Sequence, residues 1–291
     1  MQLKGIYAPI VTPFDAGENI NYPVYKQLIE FLIENRISGF IPGGTTGEVY
    51  ALSGSERLET FRFVKEQVAG RALLMAGTNA GSTQEVIQFS EAAEEMGYDA
   101  LMVAVPPYSR PNQDELLSHF RDVANAVDIP IVLYNFPWRA GSEIGYPVLD
   151  GLTDSPNVIG IKEASGEMAR VYEMRLRYGD RYQIICGSDD QALDYFLWGS
   201  TAWIGGAASC LPRQHADVLE AALEDDFVTA RARMEVLMPF LRNIESGGYT
   251  QKVKYACSLQ GIPVGNPRRP LLPLAEGERT EFERVFKLAV S

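Results

Sequence analysis

The chain has 291 residues, 46% of them hydrophobic, and a formal net charge of -12 from 26 basic and 38 acidic side chains. It is long enough to bury a large core, and its acidic balance argues against nucleic acid or an anionic membrane as a partner. Three widely spaced cysteines, Cys186, Cys210 and Cys257, lack any C-x-x-C spacing and suit reduced thiols better than a disulfide framework.

The first element is the apolar run GIYAPIVTPF (5–14). The residues around it have neither the charged start nor the cleavage site of a secretory signal. No apolar run reaches the ~18–20 residues of a membrane span, so a cytoplasmic protein is expected. A helical pattern, YPVYKQLIEFLIENR, follows, and then a second strand-like run, SGFIPGG (38–44), which leads directly into GGTTGE (Gly43–Glu48). The next helix, SERLETFRFVKEQVAG, has Ser53 or Ser55 as its cap ahead of Glu56, and Gly70 as its stop. ALLMAGT (72–78), a helix opened by Ser82–Thr83, and DALMVAVPP (99–107) continue the alternation. The fifth run, IPIVLYNFP (129–137), passes into WRAG. The sixth, VIGIKEAS (158–165), has a lysine at its centre, and YQIICGS (182–188) and TAWIGGAA (201–208) complete the set of eight. Each run is almost continuously apolar, as parallel strands covered on both faces must be.

Eight strand–helix units that fill the chain evenly predict a (β/α)8 TIM barrel over 1–224. A C-terminal helical bundle over 225–291 is expected to pack on it as one compact unit. An open doubly wound sheet is the competing architecture, but no G-x-G-x-x-G follows the first strand.

In such a barrel the chemistry lies where strands end and their loops begin. Lys162 is the residue that most needs an explanation, because a long cation among apolar neighbours needs either a counterion or a task. Strand alternation puts it on the face of Val158, Gly160 and Ala164, with Glu163 turned toward the helices. It is either half of a buried ion pair or an amine nucleophile whose pKa burial lowers. Tyr134 ends the neighbouring strand, where a phenol is placed to move protons during imine formation, or else it is a core tyrosine. Thr45, Thr46 and Gly47 lie in a glycine turn whose free N–H groups and hydroxyls suit a carboxylate. Arg139, five residues beyond Tyr134, suits a second carboxylate or simply a solvated surface. Asp189–Asp190 reads as a helix cap ahead of a metal site. With only His119 and His215 available, a histidine-held zinc is not expected.

APIVTPF, GGTTGE, VPPYSRP, YNFPWRAG, GIKEASG and CGSDD, in this order and on these strands, resemble the dihydrodipicolinate synthase / N-acetylneuraminate lyase family of class I aldolases and lyases. The resemblance implies that Lys162 forms a Schiff base with pyruvate or another 2-oxo acid, with no cofactor or metal beyond that covalent imine. It implies that Tyr134 shuttles protons, that Thr45 and Thr46 bind the carboxylate, and that Arg139 holds a second one. Tyr108 would reach into a neighbouring subunit's site, Ile204 would present a backbone carbonyl to the substrate, and the assembly would be a homotetramer built from dimers.

Several residues depart from the biosynthetic synthases of that family. The last strand reads WIGGAASCLP rather than a GVISVTAN-like stretch, and ESGGYTQKVKYACSLQG lacks Asn-Pro-x-Pro. Gly54 and Arg57 stand where some members carry histidines, and GIPVGNPRRPLLPL resembles catabolic members. The first expectation is therefore a catabolic lyase, a 4-hydroxy-1-pyrroline-2-carboxylate deaminase or a keto-deoxy sugar acid dehydratase or aldolase. The alternative is 4-hydroxy-tetrahydrodipicolinate (dihydrodipicolinate) synthase, which condenses pyruvate with aspartate semialdehyde. A non-catalytic 2-oxo acid-binding regulator is the remote third.

Overall fold

The structure, a computed structural model, describes residues 1–291. Eight short strands form a closed, all-parallel barrel in sequence order: β1 (Gly5–Ala8), β2 (Gly39–Phe40), β3 (Leu73–Gly77), β4 (Ala100–Ala104), β5 (Ile131–Asn135), β6 (Val158–Glu163), β7 (Gln183–Cys186) and β8 (Ala202–Ile204). Closure is made by β1 against β8, with Gly5, Ile6 and Tyr7 opposite Ala202, Trp203 and Ile204. The strands are shorter than the apolar runs that announce them. Beyond Ala8 the first run continues as buried non-strand chain (Ile10, Val11, Phe14), with Ile10 and Val11 in the core between strands and helices.

Around the strands lie α1 (Tyr22–Glu34), α2 (Gly54–Val68), α3 (Thr83–Glu95) and α4 (Gln113–Ala126). They are followed by the short α5 (Pro137–Ala140) and α6 (Tyr146–Gly151), then α7 (Met168–Tyr178), α8 (Ala192–Leu197) and α9 (Pro212–Leu223). Ser53 and Glu56 form a reciprocal capping box at the start of α2, and Ser82 accepts from the Glu85 N–H at the start of α3. At the end of α2 it is Ala69, not Gly70, that first takes the left-handed conformation; Gly70 follows it at φ +76°. Three further helices, α10 (Phe227–Glu245), α11 (Tyr249–Leu259) and α12 (Glu276–Val290), form the C-terminal layer, in which Phe240 meets Phe282 and Phe286.

Two hydrophobic cores result. A small one fills the barrel and includes Tyr7, Ile41, Met75, Met102, Val132, Ile185 and Ile204. A far larger one lies between strands and helices and runs without a break into α10, α11 and α12. The C-terminal helices therefore share the barrel's outer core.

Strand alternation misplaces one residue. β6 carries one extra residue against β5: Ile131 is opposite Val158, but Val132 is opposite Gly160. This bulge turns Val158 out into the helix-facing core and Ile159 toward the barrel interior. The expected common face of Val158 and Lys162 is therefore wrong, and the phase is regained only past the bulge. No helix is long and apolar enough to cross a membrane.

Candidate active site

Lys162 and Tyr134 are register partners on β6 and β5, one residue from the strands' C-terminal ends. Both are nearly buried, at 5% and 6% exposed, and the Lys162 Nζ lies 4.1 Å from the centre of the Tyr134 ring. The decisive observation is what Lys162 lacks. It makes no ion pair; the buried pairs are Arg170–Glu163 and Lys254–Glu48, and neither includes it. The structural-counterion explanation of this lysine is thereby removed, and a buried amine with no counterion is what a lysine nucleophile requires.

Glu163, the next residue, faces outward. Its two carboxylate oxygens accept from Asn135 Nδ2 at 3.0 and 2.9 Å, from the Ser165 N–H at 2.7 Å and from Arg170 Nε at 3.1 Å. Asn135 Oδ1 in turn accepts from the Ile144 N–H, and the Glu163 carbonyl accepts from the Tyr195 hydroxyl. This saturated network fixes the ends of β5 and β6, and with them Lys162 and Tyr134 on the inner face.

Thr45, Thr46, Tyr134, Arg139 and Lys162 line one cleft of about 470 Å³ at the barrel mouth. Thr46 and the chain after β8 come very close. A Cβ on Gly206 would lie 2.6 Å from Thr46 Oγ1, so only glycine fits there. Arg139 stands at the exposed rim and makes no ion pair. Beside it Trp138 spans the mouth, its indole N–H donating to the Ser165 carbonyl at 3.0 Å. Gly47 does not line the cleft. It shapes the threonine loop, its carbonyl accepting from Thr12 Oγ1 at 2.7 Å. The Ile204 side chain lies a layer below, inside the barrel core. Tyr108 does not reach the cleft of its own chain. It is 99% exposed and strained at φ +72°.

Sequence reasoning missed a wall contributed by the C-terminal layer. Glu245, at the end of α10, and Gly247, Gly248, Tyr249 and Thr250 line the same cleft. The Tyr249 hydroxyl donates to Asp189 at 2.8 Å and accepts from the Ala207 N–H at 3.0 Å. Asp189 also accepts from the Trp203 indole at 2.8 Å, which makes it a buried acceptor rather than the expected helix cap; Asp190 alone faces the cleft. Burial and the Asp189 carboxylate push the Tyr249 phenol well above its ordinary value. Glu245 reaches solvent at the rim, yet withdrawal into the cleft wall and the carboxylates of Asp189 and Asp190 push its carboxyl up to about 8, against the pull of Lys162 and Arg139. The only trace of this wall in the sequence was ESGGYTQ standing where Asn-Pro-x-Pro was expected.

The chain is similar to known proteins over nearly its whole length. The dihydrodipicolinate synthetase family matches residues 2–289. The 4-hydroxy-tetrahydrodipicolinate synthase of Pseudomonas putida is 37% identical over 94% of both chains. That of Neisseria gonorrhoeae is 34% identical over 98% of both. Among solved structures, the 4-hydroxy-tetrahydrodipicolinate synthase of Methylacidiphilum fumariolicum superposes with a TM-score of 0.95 at 31% identity, covering 99% of this chain and 96% of that one. The dihydrodipicolinate synthase of Acinetobacter baumannii, solved in complex with pyruvate, gives 0.95 at 29% identity over 99% and 98%.

Proposed function

The chain belongs to the dihydrodipicolinate synthetase family of class I lysine Schiff-base lyases, which need no external cofactor, and we propose that it condenses pyruvate with aspartate semialdehyde as a 4-hydroxy-tetrahydrodipicolinate synthase. The observation that carries the chemistry is Lys162, buried without a counterion and in register with Tyr134. The named activity of the relatives reverses the order in which strand 8 and the tail had ranked the two readings.

In this reading the neutral Lys162 amine adds to C2 of pyruvate, water leaves, and an imine forms. Thr45 and Thr46 receive the pyruvate carboxylate. Tyr134 delivers the proton that the departing hydroxyl needs and takes one back later. Loss of a proton from the pyruvyl methyl gives an enamine, whose carbon attacks the aldehyde of the second substrate. Arg139, unpaired at the rim, receives that substrate's carboxylate.

Tyr108 belongs to the proposal through a second copy of the chain. An apolar hollow of about 300 Å³, lined by Val49, Pro107, Tyr134 and Arg139 among others, adjoins the cleft. The exposed, strained Tyr108 supports a pairing in which each chain's ring enters the other's hollow, within the homotetramer that the resemblance implies. Buried free thiols at Cys186, Cys210 and Cys257 support a reducing, cytoplasmic setting.

The catabolic reading keeps one specific support, the wall of Glu245 and Gly247–Thr250. The test is a borohydride-trapping panel with pyruvate, 4-hydroxy-1-pyrroline-2-carboxylate and a keto-deoxy sugar acid, with the adduct located by peptide mass spectrometry, alongside turnover of pyruvate plus aspartate semialdehyde. A pyruvate adduct on Lys162, absent in Lys162→Ala, together with condensation is the expected result. Turnover of either catabolic compound without condensation replaces the synthase reading with the other. Absence of any adduct in folded protein removes both and leaves the binding protein.

A further inference from the structure

Glu48 closes the GGTTGE loop in a left-handed conformation (φ 59°, ψ 38°), which is unfavourable for a residue with a side chain. Its N–H donates to the Thr45 carbonyl at 3.0 Å, so its placement and that of the threonines are linked. The carboxylate is wholly buried. One oxygen lies 2.5 Å from the Nζ of Lys254 on α11, and the other accepts from the Arg268 N–H at 2.8 Å. Lys254, itself 1% exposed, also donates to the Asn266 carbonyl and lies 4.2 Å over the Phe14 ring. Arg268 covers the same ring at 4.4 Å and extends to Glu56. Two residues of the C-terminal region, 206 and 220 positions from Glu48, thus converge on its carboxylate. Neither Glu48 nor Lys254 lines the cleft, whereas Thr45 and Thr46 do.

This pair is a poor way to stabilise a fold. Burial raises the Glu48 carboxyl above its ordinary value even though Lys254 pulls it down, and lowers the Lys254 amine to about 8 even though Glu48 pulls it up. Each charge therefore loses more by leaving water than its partner returns, as is common for buried pairs. What the pair supplies is geometry. It ties a loop held against its conformational preference to a rigid helix.

We infer that Glu48 and Lys254 are positioning residues: through them α11 holds the loop in the shape that presents Thr45 and Thr46 to the substrate carboxylate. The C-terminal helical layer thereby sets the affinity for the 2-oxo acid, although neither residue touches it. The inference rests on the reading of Lys162 as the imine lysine and of the two threonines as the carboxylate site.

The test uses the full chain and four variants: Glu48→Gln, Lys254→Met, the charge-free double variant, and Phe240→Leu. The last loosens the same helical layer without touching the pair. Pyruvate is titrated, the adduct on Lys162 is trapped with borohydride, and Tm is recorded in parallel. Half-saturating pyruvate is expected to rise about tenfold or more in the pair variants, with a smaller fall in the trapping rate at saturation. Phe240→Leu is expected to lower Tm and leave half-saturation unchanged. The double variant buries no unpaired charge, so it keeps the test open should a single one fail to fold. Unchanged half-saturation in folded pair variants, or an equal rise in Phe240→Leu, overturns the inference. If the wild type gives no adduct, the imine reading fails instead; pyruvate Kd by calorimetry then tests the pair, and an equal Kd in all variants overturns it.

Discussion

At the scale of single residues, Lys162 and Glu163 show how one strand gives two adjacent charges opposite fates. The lysine points into the barrel mouth with no counterion, and the glutamate points outward into a saturated set of donors. Their residue types and strand alternation foretold both directions, since the alternation holds from Gly160 onward. It failed at Val158, because a bulge is a property of the pair of strands and leaves no mark in one of them. Tyr134 is argued from the same geometry. Tyr134→Phe keeps the ring that covers Lys162 and removes only the hydroxyl. Turnover should fall by about 10²-fold or more with KM for pyruvate little changed, as steady-state kinetics would reveal. An equal loss through KM alone makes the phenol a binding group instead.

At the scale of elements, α2 illustrates what a local signal carries. Ser53 or Ser55 ahead of Glu56 announced the helix start; the cap is Ser53, in a capping box with its N–H 2.8 Å from Glu56. What the motif did not announce is that Glu56 also pairs with Arg268, 212 positions away. Ser53→Ala should cost about 1 kcal/mol, read as a lowered urea midpoint at unchanged slope. The α11 helix is the contrasting case. Its apolar spacing marked it as a helix, yet nothing local marked Tyr249 as part of the cleft wall or Lys254 as the partner of Glu48. Those roles depend on where the helix docks.

At the scale of the whole molecule, buried titratable groups set the acid limit of stability. Burial lowers His119 from 6.5 to about 4, so between those values the unfolded chain takes up a proton the folded one refuses. Glu56, bonded to Arg268, is held at about 2 rather than 4.5, and the same difference applies over that lower interval. In both intervals the unfolded state binds more protons, so stability falls as pH falls. These two groups lower Tm in two overlapping stages, His119 from about pH 6.5 to 4 and Glu56 from about 4.5 to 2, while the raised carboxyl of Glu245 acts in the opposite sense above 4.5. His119→Gln should flatten the upper stage and Glu56→Gln the lower one, measured by thermal unfolding across pH. A Tm difference between His119→Gln and the wild type that stays constant from pH 6.5 to 4 contradicts the burial of a neutral His119.

The sequence by itself determined the strand–helix rhythm and the closed barrel, and it singled out Lys162, Tyr134, Thr45 and Thr46, which the fold gathers into one cleft. Periodicity and turn chemistry act between near neighbours and can be read along the chain, and the barrel then places strand ends together. Only the tertiary structure decided that Lys162 has no counterion, that Tyr108 lies outside its own cleft, that Glu245 and Tyr249 wall the cleft from the C-terminal helices, and that Lys254 meets Glu48. The physical reason is that a hydrogen bond or ion pair is fixed by distance in space. Glu48 and Lys254 lie 206 positions apart in sequence and 2.5 Å apart in the fold.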